Sequence, residues 1–280
     1  ATNADNIVAK KSISGDALPS NDWTNGANPS FTWDAGTDAE SGIKGYCLYL
    51  GSDDTADPVT TKGILGTSPG DSGGNCQFMT TSADLDTAVG GILASPLVTS
   101  NSPYYIRIKA IDNAGNLSTS TEQFQFRFDN TPPSNPSFIS APSGFISSKQ
   151  ATLSWITSGA GAPADINSGL SGLQYKINNS VWYGDVHNGN QDTTDLLAND
   201  GAYITQAIPD FADLDEGVNT VYFRTWDQAG NVTTNYVSAA LKINTAGAPS
   251  EPLNVNASPS TNTANSFSFS WAAPNTFVGD

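Results

Sequence analysis

Few residues of this chain can do chemistry, and their spacing narrows what that chemistry is. His187 is the only histidine, so a Ser-His-Asp triad would have to use it, and no Gly-x-Ser-x-Gly elbow accompanies it. Glutamate occurs only at Glu40, Glu122, Glu216 and Glu251, without a cleft signature for paired-carboxylate glycoside hydrolysis. No catalytic residue is expected. Cys47 and Cys76 lack CxxC spacing and have one histidine at most to help them hold a metal. The other readings are a disulfide closing a loop in a secreted domain, or two buried free thiols. Oxygen chemistry remains. Asp-x-Ala-Gly-Asn occurs twice, at Asp112–Asn116 and Asp227–Asn231. Its glycine supplies positive φ and its Asp and Asn side chains close Asx turns. The same oxygens suit a hard cation such as Ca2+, although no EF-hand or Gly-Gly-x-Gly-x-Asp spacing is present.

The chain must position these groups with a particular composition. It has 280 residues, with 27 Asp+Glu against 11 Lys+Arg, a formal charge of −16. Such a polyanion repels phosphate backbones, which excludes nucleic acid and anionic membrane surfaces as partners. The longest apolar run, Gly91–Val98, is interrupted by Pro96 and far shorter than the ~18–20 residues of a membrane helix, so no membrane insertion is expected. Ala1–Lys11 lack the basic start and apolar core of a signal peptide, and an Ala1 start suits the small-residue rule for a cleaved one. Charged residues are 14% and aromatics 10%, the reverse of the balance that keeps chains disordered. Abundant Gly, Pro, Ser, Thr and Asn predict many short strands joined by turns.

The chain repeats itself with a period of roughly 115–122 residues. Tyr104–Asn116 returns as Asn219–Asn231, and Phe31-Thr32-Trp33 returns as Leu153-Ser154-Trp155 and again as Phe269-Ser270-Trp271. Ser41–Gly45 matches Ser168–Gly172. Within each repeat the apolar period is two: Tyr104, Ile106, Ile108 and Ala110; Phe124, Phe126 and Phe128; Val221 and Phe223; Leu241 and Ile243. One face of each strand is therefore buried and needs a second sheet to cover it. The expected fold is all-β, tandem antiparallel β-sandwiches. The expected division is an N-terminal extension 1–14, a first sandwich 15–129, a second 130–243 and an incomplete third repeat 244–280. Trp33, Trp155, Trp271, Ile106, Ile108, Phe126 and Phe223 are placed in cores. Trp23 and Phe145 share their spacing and read as plugs from a first strand.

These features resemble the bacterial immunoglobulin-like and fibronectin-type-III-like repeats of large cell-surface proteins. The resemblance rests on the strand ending in Trp, the following Ser-Gly-Ile/Leu, the late Asp-x-Ala-Gly-Asn, and the Asp129-Asn-Thr-Pro-Pro133 linker. In a sandwich of that topology, the loop after the Trp strand and the late hairpin share the pole that faces the preceding linker. A calcium site at the second repeat would gather Asp129, Asn130, Asp165, Asn167 and Asp227; the parallel set in the first is Asp34, Asp38, Glu40 and Asp112. Trp182, Tyr183 and Trp226 have no aromatic counterparts in the first repeat and are candidates for stacking on sugars of a glycan or host-surface ligand. The resemblance implies an extracellular, non-catalytic structural or adhesive segment, a stalk or spacer whose partners are further repeats or a surface or filament protein. The alternatives are a filament subunit assembled by strand exchange, and an accessory module of a secreted polysaccharide-active enzyme. Pro132 and Pro133 hold φ near −65° and predict a semi-rigid joint.

Overall fold

The structure, a computed structural model, describes residues 1–12, 15–66, 76, 82–84, 93–149, 153–156, 159–182, 214–247, 251–258 and 268–272. Among them there is no helix, hence none long and apolar enough to cross a membrane. Strands β1 (Asp5–Lys10), β2 (Ala17–Leu18), β3 (Trp23–Thr24), β4 (Ser30–Asp34), β5 (Ile43–Gly51), β6 (Ser82–Asp84), β7 (Tyr104–Asp112) and β8 (Glu122–Phe128) build the first sandwich. One sheet has the order β2-β1-β4-β6 and the other β3-β8-β7-β5. Alternation sends Phe31 and Trp33 of β4 inward to meet Tyr46, Leu48, Ile106, Ile108, Phe126 and Phe128 of the facing sheet. The Phe31 and Phe126 rings lie 5.7 Å apart, and Trp33 meets Tyr46 edge-on at 5.5 Å.

The second sandwich uses the same plan. It contains β9 (Ile139–Ser140), β10 (Phe145–Ile146), β11 (Ser154–Trp155), β12 (Leu170–Ile177), β13 (Gly217–Asp227) and β14 (Val237–Ile243). The larger sheet runs β10-β14-β13-β12, and β11 pairs with β9. Trp155 packs on Phe223 at 5.9 Å within a core of Leu153, Leu173, Tyr175, Ile177, Val221, Leu241 and Ile243. The two cores share no residue. In both sandwiches a short early strand runs parallel to the last one, β3 beside β8 and β10 beside β14, while the other strand pairs are antiparallel. This tandem of immunoglobulin-like, fibronectin-type-III-like sandwiches is followed by the antiparallel ribbon β15 (Leu253–Ser258) and β16 (Ser268–Ala272).

Three expectations are corrected. The segment 1–14 is not a separate extension: β1 lies between β2 and β4, and Ala4 and Ala9 are in the first core. Trp271 is 65% exposed and Phe269 64%, because no second sheet covers the β15–β16 ribbon among the described residues. Phe145 plugs no core, and Trp23, though buried, does not join the first sandwich's core cluster. On their two-residue strands it is Thr24 and Ile146 that turn inward. Trp23 is buried beneath the Arg127 guanidinium (5.5 Å), and Phe145, 52% exposed, lies under Lys242 (5.8 Å).

Candidate functional site

The best-built polar site lies where the first sandwich hands over to the second. Asp129 follows β8 directly and its N–H donates to Thr24 O at 3.1 Å, so the parallel β3–β8 pair fixes where its carboxylate goes. The linker then runs along β13: Ser134 N–H donates to Ala164 O at 2.9 Å, Thr225 Oγ1 to Ser134 O at 3.0 Å, and Thr233 Oγ1 to Pro133 O at 2.9 Å. Pro133 has no donor to lose in this arrangement. Asp165 stands in the loop entering β12, where its Oδ1 accepts the N–H groups of Asn167 (3.0 Å) and Gly169 (2.9 Å). Asp227 ends β13. The turn that follows requires Gly230 at φ 92°, a conformation glycine adopts without a steric penalty. That turn returns Asn231 to Asp227, whose Oδ1 accepts the Asn231 N–H and whose Oδ2 accepts Nδ2–H, both at 2.8 Å.

These placements bring Asp129, Asp165 and Asp227 together, with one ligand oxygen from each within 4.8 Å of the others. Asp129 and Asp227 are fully buried. Burial pushes the Asp227 carboxyl up to about 6 against the pull of its Asn231 hydrogen bonds, and the nearby Asp129 and Asp165 charges add to the rise. Asp129 is held by donors from both sides. Its Oδ2 accepts Ser168 N–H (3.1 Å) and Ser168 Oγ–H (2.8 Å), its Oδ1 accepts Thr131 N–H (2.9 Å), and its backbone carbonyl accepts Asn231 Nδ2–H (2.8 Å). Chemically the triad can share a proton or hold a hard cation. Calcium takes 6–8 oxygens, of which three carboxylates supply a part and backbone carbonyls and water would supply the rest.

The other expected ligands are placed differently. Asn130 Oδ1 accepts Thr99 Oγ1–H at 2.6 Å, and Asn167 contributes its backbone N–H to Asp165. In the first sandwich, Asp34 pairs with Asn6 Nδ2 (3.3 Å), Asp38 caps the Glu40–Gly42 turn, Glu40 is exposed and Asp112 binds Asn116. That set forms no three-acid cluster among the described residues. The Asn116 hydrogen bonds, side chain first, hold the Asp112 carboxyl below its ordinary value. Ser168 and Asn231, the residues that receive Asp129, lie in the repeated Ser-Gly and Asp-x-Ala-Gly-Asn motifs, which assign Asn231 to closing its own turn and mark neither residue as a partner of Asp129.

Cys47 and Cys76 form a disulfide. Of the candidate glycan residues, Tyr183 lies outside the described residues, as does His187. Trp226 lies on the outer face over Gly172, where the indole leaves no room for a Cβ. Trp182 meets Tyr236 edge-on at 4.9 Å and the Arg224 guanidinium stacks on it at 4.1 Å. The Lys176 ammonium lies 5.3, 5.1 and 5.6 Å from the Trp182, Tyr222 and Tyr236 ring centres.

No known protein family and no curated protein matches the chain. Solved structures similar to it include the fibronectin(III)-like modules of Clostridium thermocellum CbhA, with 10% identity, 85% of this chain and 95% of that one covered, and a TM-score of 0.37. The FN1–FN3 domains of chicken CNTN1 are 13% identical over 98% of this chain and 76% of that one, with a TM-score of 0.26. A tetra-tandem repeat in the extending region of a large adhesion protein is 17% identical over 85% of this chain and 49% of that one, also at 0.26.

Proposed function

We propose that this chain is a non-catalytic, extracellular spacer segment of a repeat protein, in which a polar joint sets each sandwich on the next. The observation that carries this reading is the fully buried Asp129, a residue of the first sandwich whose hydrogen-bond partners include Ser168 and Asn231 of the second. Buried charged hydrogen bonds are costly to break singly, because the partner left behind stays desolvated. A joint of this kind resists bending, whereas an unbonded linker of the same length would sample many orientations. The acidic surface keeps such a spacer soluble and non-adherent to anionic surfaces.

Low-angle scattering tests the reading. The intact chain should give one narrow distribution of maximum dimension, and Asp129→Ala should broaden it while both sandwiches stay folded. A broad distribution in the intact chain, unchanged by the substitution, overturns the joint. Melting the chain in chelator and then in millimolar calcium separates the two ways of meeting the triad's charge: a cation raises the transition, a shared proton leaves it unmoved.

A further inference from the structure

The first sandwich carries the same pole, nearly bond for bond, as the one that receives Asp129. Asp38 Oδ1 accepts the N–H groups of Glu40 (3.2 Å) and Gly42 (3.1 Å), as Asp165 Oδ1 accepts those of Asn167 and Gly169. Asn113 N–H donates to Gly42 O at 3.0 Å, and Gln228 N–H to Gly169 O at 3.0 Å. Asn116 grips Asp112 through its N–H (2.7 Å) and Nδ2–H (2.9 Å), as Asn231 grips Asp227. The entering chain is copied too. Thr2 N–H donates to Thr37 O at 2.7 Å where Ser134 N–H donates to Ala164 O, and Asn3 Oδ1 accepts Ala110 N–H at 2.9 Å where Asn135 Oδ1 accepts Thr225 N–H at 2.9 Å.

The two poles differ in what they cover. At the second, Ser168, Ala229 and Asn231 are buried; their counterparts Ala114 and Asn116 are exposed and Ser41 is half-buried. Asn231 Nδ2 has two acceptors, Asp227 Oδ2 and Asp129 O, whereas Asn116 Nδ2 donates to Asp112 Oδ2 alone. Ser168 sends both its N–H and its hydroxyl to Asp129, while Ser41 turns both onto Asp38 Oδ1 (2.7 and 3.1 Å). The donors that would hold an incoming carboxylate are thus present at both poles, engaged with Asp129 at the second and with the pole's own Asp38 at the first.

We propose that the pole formed by Asp38–Gly42 and Asp112–Asn116 is a docking socket for another sandwich of the same kind, joined ahead of Asn3, whose last strand ends in an acid at the position of Asp129. The inference rests on the joint described above and extends it to a second surface. A second copy of this chain does not offer that tail free: its Asp129 is buried in its own joint, and the corresponding end of β14 carries Asn244, whose N–H donates to Ile146 O (2.9 Å) as Asp129 N–H does to Thr24 O. The occupant is therefore a module with its own acidic last residue, seated so that Ser41 releases Asp38 and takes the new carboxylate.

The test is a chain in which residues 1–134 are placed a second time ahead of Asn3, so that the copy's Ser134 takes the place of Thr2. Exchange of the Asn116 side-chain amide protons, read by NMR, should slow about tenfold or more, approaching that of Asn231, as expected for one added buried hydrogen bond. With Asp129→Ala in the added copy, Asn116 should exchange as fast as in the parent chain. Fast exchange at Asn116 beside slow exchange at Asn231 overturns the socket and leaves the Asp129 joint standing. Fast exchange at Asn231 in the parent chain overturns both.

Discussion

The two sandwiches bury their cores alike and cover the outer face of the same sheet differently. In register, Cys47 lies opposite Lys109 on β5 and β7, and Gln174 lies opposite Arg224 on β12 and β13. In the first sandwich Cys47 is bonded to Cys76, 29 residues on, and Lys109 pairs with Asp57 at 3.6 Å. In the second, Gln174 Oε1 accepts Arg224 Nε–H at 2.6 Å, and Arg224 and Lys176 lie over the rings of Trp182, Tyr222 and Tyr236. Inward positions are dictated by close packing, which leaves little freedom. The outward positions need only be covered, and a covalent tie and a set of cation–aromatic contacts serve equally.

The largest expected effect tests what the sandwiches share. Trp33→Ala and Trp155→Ala should each cost about 3–5 kcal/mol of their own domain's stability, leaving the other domain's transition in place. Calorimetry that finds both transitions falling together would show one merged cooperative unit instead of two. Cys47→Ser comes next: opening a 29-residue loop should cost the first sandwich about 3–4 kcal/mol, and a reductant should lower that transition alone. An unchanged transition in reductant would remove the disulfide from the comparison.

Asp227 and Asp112, which hold matching positions in the two sandwiches, should contribute with opposite dependence on pH. Asp227 has its folded value raised to about 6, so its contribution is fully present below the ordinary carboxylate value of 3.8 and is lost as pH rises through 6, about 2–3 kcal/mol in all. Asp112 is lowered, so its contribution is present above the ordinary value and is lost as pH falls through the folded one. Carboxyl NMR titration checks both signs, and Asp129→Asn should bring the Asp227 titration down by removing a neighbouring charge. The smallest effect belongs to the outer face. Trp182→Leu should cost the second sandwich about 1–2 kcal/mol in urea denaturation. A loss as large as that of Trp155→Ala would mean that Trp182 belongs to the core.

What could be read from the chain follows the same division. Ile106, Ile108, Phe126 and Phe223 sit on long strands whose period of two leaves no doubt about their direction. The grouping of Asp129, Asp165 and Asp227 was legible through the resemblance, whose topology implies that the loop after each Trp strand and the Asp-x-Ala-Gly-Asn turn share one pole. Ile7-Val8-Ala9 reads as a possible strand, which β1 bears out, but its place in the first sandwich is hidden because its pairing with β4 slips between Asp5 and Val8 and Asn6 turns to φ 52°, which interrupts the alternation. Trp23 and Phe145 were misdirected because a two-residue strand has no period to read. The Lys176–Trp182–Tyr236 cluster draws on residues far apart in sequence that meet only across the sheet.

The parallel pairing of β3 with β8 has a mechanical consequence. If a segment of this kind is stretched from its two ends, the pull enters through β1, and once β1 and β2 have come away from β4 the early strand β3 and the last strand β8 are dragged in opposite directions along their length. Their cross-links, Trp23–Thr24 against Arg127–Phe128, are then strained simultaneously instead of being peeled away one after another. Asp129, immediately beyond, anchors the downstream end of that clasp in its neighbour, so tension reaches the next sandwich through its pole before it reaches the hydrophobic interior.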